Sequence, residues 1–255
     1  MIRYEVQGAI AQILLDNPPV NGISHGLLDT LMARLREAGS DKMVRAIVLG
    51  SAVPGRFSGG LDLARFRESS PAEAHAVTHK LYLELFELQS MLPKPVIAAV
   101  TGAVRGGGMS IAITCDMIVA AENSTFGYPE MDVGLLPSIH FNHLHRIVGR
   151  YRAFDLLFTG RVFTAHEAME LGLVGRLAPQ DEVLASAHKL GAVFAGKSPE
   201  LMRLGKAAFG RVIDNGYRQG AAAAVDLVST VFGTPDCAEG LSAFVEKRKP
   251  QWSKA

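Results

Sequence analysis

Apolar and polar residues recur near the start of the chain in patterns that predict two strands and a helix. Two β-favouring runs, Ile2–Gln7 and Ile10–Asp16, are joined by Gly8 and Ala9 and predict an opening β-hairpin. Over His25–Ala38, leucine and methionine recur every three or four positions, with arginine and glutamate between them. This spacing predicts an amphipathic helix with one buried face.

Three further apolar runs predict buried strands, with helices between them. The runs are Ala46–Leu49, Pro95–Val100 and Met117–Ala121, and their lack of polar alternation is typical of parallel strands buried on both faces. A capping box with proline at its first helical position predicts a helix over Ser70–Met91. A short apolar helix over Met109–Thr114 completes the order β-β-α-β-α-β-α-β.

Helix signals dominate the second half of the chain. Thr164 begins another capping box, and Ser198 and Thr234 are each followed by proline, which is typical of a helix start. At least four helices are therefore predicted beyond residue 151. The pattern predicts an α/β core over residues 1–195 and a C-terminal helical region over residues 196–255.

Composition and charge narrow the classes of function. The 255 residues are 48% hydrophobic, which is enough to bury a large core. A net charge of +1 provides no overall field to hold the protein on nucleic acid or an anionic membrane. Two cysteines, Cys115 and Cys237, suit a reducing compartment, and the longest uncharged run, Val133–His145, is too short to span a bilayer. We therefore expect a cytoplasmic protein without nucleic-acid or membrane partners.

Two glycine-bearing segments, Phe57–Leu63 and Gly102–Gly108, stand where apolar strands are predicted to end. Glycine lets the backbone approach a ligand closely, and a helix that follows offers unpaired N–H groups, so two such turns can direct donors at one oxygen atom. Neither segment has the dinucleotide fingerprint G-x-G-x-x-G or the phosphate loop G-x-x-x-x-G-K-[ST]. Each segment alone is also compatible with a tight turn that serves only the fold.

Glu130 is the candidate for acid–base chemistry. It follows Pro129 in a loop beyond the strand Met117–Ala121 and precedes the apolar stretch around Leu135. A carboxyl group beside apolar residues has a raised pKa, which suits a base that removes protons from carbon. Taken alone, a glutamate in a loop is more often a solvated surface group.

Five segments, in order along the chain, carry a resemblance to a known family. They are Phe57–Leu63, Pro95–Gly108, Thr114–Asp116, Phe126–Glu130 and Gly134–Pro137. They resemble the consecutive signature blocks of the crotonase family, the enoyl-CoA hydratase/isomerase superfamily. Each block is weakly specific by itself, but the similarity continues in order from about Ile10 to Pro250.

The resemblance implies an α/β fold, a crotonase-like spiral of ββα units with a C-terminal helical trimerisation region. It also implies an acyl-CoA thioester as substrate, a homotrimer or a dimer of trimers, and no metal or redox cofactor, because coenzyme A is part of the substrate. Carried over by position, the backbone N–H groups of Leu61 and Gly107 form an oxyanion hole. Glu130 is then the catalytic base.

Contacts with the CoA thioester are implied in three parts of the chain: the first turn, the second turn and the basic C-terminal run. The matching residues are Gly60, Asp62, Leu63, Ala64, Gly106 and Lys247. Asp62 stands directly before a predicted helix and is more simply an N-cap. The run of basic residues from Lys247 to Lys249 is equally compatible with a solvated cationic helix end.

The sequence departs from the family pattern at Ser110. Hydratases of the family carry two glutamates, and Glu130 matches the second, whereas Ser110 stands in the place of the first. A serine can hold a water molecule but cannot deprotonate it near neutral pH, and one carboxylate is enough to move a proton between two carbons. The pattern favours isomerisation of 3-enoyl-CoA to 2-enoyl-CoA. A 2-enoyl-CoA hydratase and a catalytically reduced CoA-thioester-binding trimer stay open.

A second departure is the histidine-rich segment Ser138–His145, which replaces a small, glycine-rich segment of the family. His140 and His143 stand three residues apart, but no acidic or cysteine partner lies nearby in sequence, so we expect no metal site. If His140 reaches the pocket, it is a candidate second acid–base group beside Ser110, since an unperturbed imidazole titrates near neutrality.

Overall fold

A computed structural model describes residues 1–213 and 216–251 of the chain. The strands are β1 Ile2–Gln7, β2 Ile10–Leu15, β3 Ala46–Ser51, β4 Arg56–Ser58, β5 Val96–Val100, β6 Ala103–Arg105, β7 Met117–Ala121, β8 Thr125–Gly127, β9 Phe163–Thr164 and β10 Arg176–Ala178. They form two sheets. The larger has the order β1-β2-β3-β5-β7-β10 and the smaller has the order β4-β6-β8-β9.

The larger sheet confirms the predicted hairpin and the three predicted buried strands. β1 pairs antiparallel with β2, and Gln7 lies opposite Ile10 across the turn. β2, β3, β5, β7 and β10 pair in parallel. Strand β5 is buried along its whole length, as expected for an apolar strand covered by helices on both faces.

The helices are α1 His25–Ser40, α2 Leu63–Phe66, α3 Pro71–His79, α4 Leu85–Met91, α5 Gly107–Ile113, α6 Ser138–Val148, α7 Arg150–Thr159, α8 Ala165–Glu170, α9 Val183–Ala195, α10 Pro199–Ile213, α11 Tyr217–Phe232 and α12 Pro235–Val245. The capping box predicted at Ser70 is confirmed, because Ser70 and Glu73 bond reciprocally to each other's backbone N–H. A π-helical turn, Lys80–Glu84, joins α3 to α4.

The smaller sheet was not predicted, and the interpretation of Gly102–Gly108 as one continuous turn is wrong. Ala103–Arg105 is a strand that pairs in parallel with β4 and β8. Helix α5 begins at Gly107, two residues before the predicted start. Strands of two or three residues are too short to show an alternating pattern, so no pattern predicted them.

The order of the elements confirms the expected α/β spiral of ββα units. In successive turns of the chain a strand of the larger sheet is followed by a strand of the smaller sheet and then by a helix, as in β3-β4-α2 and β5-β6-α5. Each helix after such a unit therefore begins at the same edge of the smaller sheet. This arrangement brings the two glycine-bearing turns together.

Helices α10, α11 and α12 follow the spiral, and α11 and α12 pack near that edge. Helix α11 packs against α3 and α6, and α12 packs against α2 and a 3-10 helix, Pro129–Val133. The predicted succession of helices in this half is confirmed, whereas the division of the chain at residue 195 stays a prediction. In the part of the chain that the structure describes, no helix is long and apolar enough to cross a membrane.

Candidate active site

A cavity of about 470 Å³ lies between the two glycine-bearing turns and the C-terminal helices. Most of the side chains around it are apolar. Its lining comes from the turn before α2, the turn before α5, the 3-10 helix, the π-helical turn, α11 and α12, and it includes Gly60, Leu61, Leu63, Tyr82, Gly106, Gly107, Glu130, Val231, Phe232 and Phe244.

The two turns approach each other so closely that only glycine fits at the contact. Gly60 has φ +92°, and a Cβ added there would lie 2.9 Å from the carbonyl oxygen of Arg105 and 3.3 Å from the nitrogen of Gly107. A Cβ added at Gly107 would lie 3.5 Å from the nitrogen of Leu61. The backbone nitrogens of Leu61 and Gly107 are therefore neighbours across the contact.

Both N–H groups are left without a backbone partner by the local geometry. A parallel bridge between Ile23 and Leu61 uses the carbonyl of Gly60 and the N–H of Asp62, at 2.8 and 3.0 Å, so the N–H of Leu61 faces the other side. Gly107 is the first residue of α5, where an N–H group has no partner within the helix. These backbone contacts therefore do not use the N–H group of Leu61 or that of Gly107.

Glu130 lies against the second turn, in the 3-10 helix that follows β8. A Cβ added at Gly106 would lie 3.2 Å from Oε1 of Glu130, so the missing side chain makes room for the carboxyl group. Leu135 donates its N–H to the Glu130 carbonyl at 2.9 Å and holds the segment in place. The structure therefore brings together Leu61, Gly106, Gly107 and Glu130.

Burial controls the titration of Glu130. Its Oε2 atom is buried and has no hydrogen-bond partner in the structure. Burial raises the pKa of Glu130 to about 7, and a bond from its own backbone N–H opposes the rise in part. A carboxyl group with this pKa exchanges protons readily near neutral pH.

Ser110 and His140 meet behind the second turn but do not line the cavity. Ser110 Oγ lies 3.4 Å from His140 Nε2, and both side chains are buried. The His140 ring lies 4.5 Å from the ring of Tyr128, measured between centroids. Burial, together with the neighbouring His143, holds the pKa of His140 well below its ordinary value, so the imidazole is neutral.

Of the six residues that the resemblance implies in CoA binding, the structure places three in the cavity lining. Gly60, Leu63 and Gly106 line the cavity, whereas Asp62, Ala64 and Lys247 lie outside its lining. The N-cap role of Asp62 is confirmed, since its side chain accepts from the N–H of Arg65 at 3.4 Å.

The basic C-terminal run contributes Arg248 to the lining, while Lys247 is exposed. Arg248 is paired with Glu239 through two contacts of 2.5 and 2.9 Å. The sequence identified this basic run as a candidate CoA contact but could not show which member faces the cavity. Lys247 as a phosphate contact stays a prediction.

Several residues that line the cavity were not predicted from the sequence. Tyr82 comes from the π-helical turn, and Val228, Val231 and Phe232 come from α11, far along the chain from both turns. Amphipathic helices place apolar residues at this spacing wherever they pack, so the sequence did not distinguish these residues from core residues.

His140 and His143, of the histidine-rich segment, lie side by side. Nδ1 of His140 lies 3.5 Å from Nε2 of His143, and no acidic or cysteine side chain joins them. Across residues 1–213 and 216–251, no group of three or more histidine, cysteine, aspartate or glutamate side chains is arranged to hold a metal ion.

Comparison with known proteins gives a consistent result over nearly the whole chain. The sequence model described as enoyl-CoA hydratase/isomerase matches residues 5–255. A protein of Bacillus subtilis named "Probable enoyl-CoA hydratase" is 33% identical over 255 residues, which cover 98% of each chain.

Solved structures agree with this match. An enoyl-CoA hydratase from Bacillus anthracis superposes with a TM-score of 0.79 at 29% identity and covers 98% of both chains. A human mitochondrial delta3-delta2-enoyl-CoA isomerase superposes with a TM-score of 0.86 at 25% identity, over 96% of this chain and 97% of the isomerase. The chain belongs to the enoyl-CoA hydratase/isomerase family.

Proposed function

We propose that the protein moves the double bond of a 3-enoyl-CoA thioester to position 2, with Glu130 as the only acid–base group. The carboxylate of Glu130 takes a proton from the α-carbon, and the electrons spread into a dienolate. The carboxyl group then returns the proton to the γ-carbon, which leaves the double bond conjugated with the thioester. Neither water nor an electron acceptor is consumed, so the reaction needs no metal or redox cofactor.

The backbone donors supply the stabilisation that this route needs. The dienolate concentrates negative charge on the thioester oxygen, and the N–H groups of Leu61 and Gly107 are neighbours that the described backbone contacts leave unused. Preorganised donors of this kind lower a barrier by roughly 3 to 4 kcal/mol each. The pKa of about 7 for Glu130 lets one group serve as base and then as acid.

The choice of isomerisation over hydration rests on two residues near the second turn, Glu130 and Ser110. The Oε2 atom of Glu130 is buried without a hydrogen-bond partner in the described residues, and Ser110 stands where the hydratases of the family have the first of their two glutamates. Hydration needs a water molecule to be deprotonated while a proton is delivered to carbon, and a serine hydroxyl cannot act as that base near neutral pH. Isomerisation needs only one carboxylate.

The lining of the cavity favours a fatty or aromatic acyl group, because the side chains from α11 and α12 around it are apolar. In this proposal the CoA moiety lies along Gly60–Ala64, and the exposed side chain of Lys247 contacts a phosphate group of CoA. The working protein is proposed to be a cytoplasmic homotrimer or a dimer of trimers.

A 2-enoyl-CoA hydratase is the second candidate, since the relative from Bacillus subtilis is named "Probable enoyl-CoA hydratase". Hydration and isomerisation are distinguished by supplying 2-enoyl-CoA and 3-enoyl-CoA in separate assays and following the absorbance of the conjugated thioester. We expect the absorbance to rise with 3-enoyl-CoA and to stay nearly constant with 2-enoyl-CoA. Fast loss of the signal from 2-enoyl-CoA would show that the protein is a hydratase despite Ser110.

A CoA-thioester-binding trimer without catalysis is distinguished by the variant Glu130→Gln. We expect it to lower kcat for 3-enoyl-CoA about 10²- to 10⁴-fold, the usual contribution of a general base, while the thioester still binds. Equal rates for the variant and the natural protein would instead favour the binding protein. The dissociation constant for a saturated acyl-CoA is the control, because it does not depend on proton transfer.

A further inference from the structure

One side of the cavity is open and another side is closed. Phe244 and Arg248, which line the open side, are exposed. Thr78, Tyr82 and Val228 also line the cavity, but their exposed fractions are only 0%, 6% and 7%. A long polar group such as the CoA arm can therefore leave the cavity beside Phe244 but not beside Tyr82.

The closed side lies where helix α11 packs on α3 and on the π-helical turn. Nε2 of His75 in α3 lies 3.7 Å from Oδ1 of Asp226 in α11. Farther along α11, the ring of Phe232 meets the ring of Phe66 edge-on, with their centroids 5.3 Å apart. Two separate contacts therefore hold α11 over this side of the cavity.

The side chains on the closed side present a largely apolar surface. The hydroxyl group of Thr78 donates to the carbonyl of Ala74 at 2.9 Å, so it is engaged within its own helix. Tyr82 adds an aromatic ring, and Val228 adds an aliphatic side chain from α11. A charged end of an acyl group would lose its hydration here without gaining a partner, so the surface suits an apolar end.

The closed side is also next to the second donor of the proposed oxyanion hole. Leu81 precedes Tyr82 in the π-helical turn, and its Cδ2 atom lies 3.2 Å from the place of a Cβ added at Gly107. A thioester held by the N–H groups of Leu61 and Gly107 has its CoA arm on the open side, so its acyl group extends toward Tyr82. The cavity of about 470 Å³ must hold the thioester and part of the CoA arm as well, which leaves little room for the acyl group.

We propose that Tyr82 is a specificity-determining residue, whose ring ends the acyl site and selects 3-enoyl-CoA thioesters with a short apolar chain. The inference rests on the proposed function, because it takes the place of the thioester from the two backbone donors. It goes further by setting a limit on chain length and naming the side chain that sets it. A longer chain has to displace the Tyr82 ring or the helix α11 that covers it.

A series of saturated acyl-CoA thioesters, from butyryl-CoA to dodecanoyl-CoA, tests the limit by calorimetry. We expect the affinity to rise about fourfold for each CH₂ group that becomes buried, and to stop rising at the chain length that reaches Tyr82. Tyr82→Ala removes the ring, so its affinities should continue to rise to longer chains. Val228→Phe fills the same side of the cavity, so its affinities should stop rising at a shorter chain.

Phe244→Ala is the control for these two variants. Phe244 lines the open side, where every thioester in the series has the same CoA arm, so its loss should change all the dissociation constants by a similar factor. Melting temperatures are measured for all three variants, and Tyr82→Leu replaces Tyr82→Ala if the latter does not fold. The proposal is overturned if the limiting chain length is the same in the natural protein, the Tyr82 variant and Val228→Phe.

Turnover provides a second readout of the same limit. We expect kcat/KM of the natural protein to be about tenfold or more higher for 3-hexenoyl-CoA than for 3-dodecenoyl-CoA, and this preference to be lost in Tyr82→Ala. Equal values of kcat/KM for the two substrates in the natural protein would refute the selection by Tyr82 and leave the isomerase assignment intact. If neither substrate is turned over, the isomerase assignment is lost, while the calorimetric series still decides whether Tyr82 ends the acyl site.

Discussion

Glu130 titrates near neutrality because its neighbours exclude water and leave one oxygen without a partner. The space that its carboxyl group occupies beside Gly106 would be filled by any side chain at that position. Oε2 is buried without a hydrogen bond, so ionisation costs the solvation energy of the charge. The chemistry at this residue therefore depends on a glycine in a different segment.

The pH dependence of turnover follows from the pKa of about 7 for Glu130. The first step needs the ionised carboxylate, and a raised pKa keeps the group protonated below that value. We expect kcat/KM for 3-enoyl-CoA to rise about tenfold per pH unit below the pKa and to level off above pH 7 to 8. A profile that stays flat down to pH 5 would contradict Glu130 as the titrating base.

The two turns meet because the strands before them are neighbours in the smaller sheet. β4 and β6 pair in parallel, so the segments that leave their carboxyl ends emerge side by side. Ser58 tightens this junction, since its Oγ accepts from the N–H of Gly60 at 3.2 Å and donates to the carbonyl of Asn21 at 2.9 Å. Gly108 in α5 packs on Ser58 so closely that a Cβ there would lie 2.8 Å from its carbonyl oxygen.

Ser58→Ala tests whether this junction positions the donors. The change leaves the N–H of Gly60 without its acceptor, and we expect a loss of about 1 to 3 kcal/mol in the free energy of unfolding together with a several-fold fall in kcat. Ser124→Ala is the matched control, because Ser124 is also buried and donates to the carbonyl of Val100 at 3.2 Å, away from the turns. Ser124→Ala should lower the free energy of unfolding by a similar amount and leave kcat unchanged. Equal effects on kcat would show that the junction has no special role.

The sequence predicted those elements that are long enough to carry a pattern. Apolar runs such as Pro95–Val100 and the capping box at Ser70 predicted strands and helices that the structure contains, whereas the three-residue strands of the smaller sheet left no pattern. The turn residues could be proposed as a site because glycines mark them locally. Tyr82 and Phe232 could not, because only the packing of distant helices brings them to the cavity.

At the scale of the whole molecule, the last helix of the chain supports the segment that carries the base. Helix α12 lies against the 3-10 helix Pro129–Val133, and two glycines allow the approach. A Cβ at Gly240 would lie 2.6 Å from the carbonyl carbon of Val133, and a Cβ at Gly134 would lie 2.6 Å from the carbonyl oxygen of Asp236. The position of Glu130 against Gly106 therefore depends on helix docking at the far end of the sequence.

Gly240→Ala tests this dependence. The added methyl group meets backbone atoms of Val133 and Gly134, which cannot rotate away as a side chain can, so α12 or the 3-10 helix must shift. We expect a lower melting temperature for the variant. We also expect its kcat to fall by more than the decrease in the folded fraction explains, because a misplacement of about 1 Å at the reacting groups can cost roughly 10²-fold in rate. Gly205→Ala is the control, since Gly205 lies inside helix α10 and a Cβ there meets nothing within 4 Å. Alanine at this position should raise the free energy of unfolding by about 0.5 to 1 kcal/mol without changing kcat. Unchanged kcat in folded Gly240→Ala would show that Glu130 is positioned without α12.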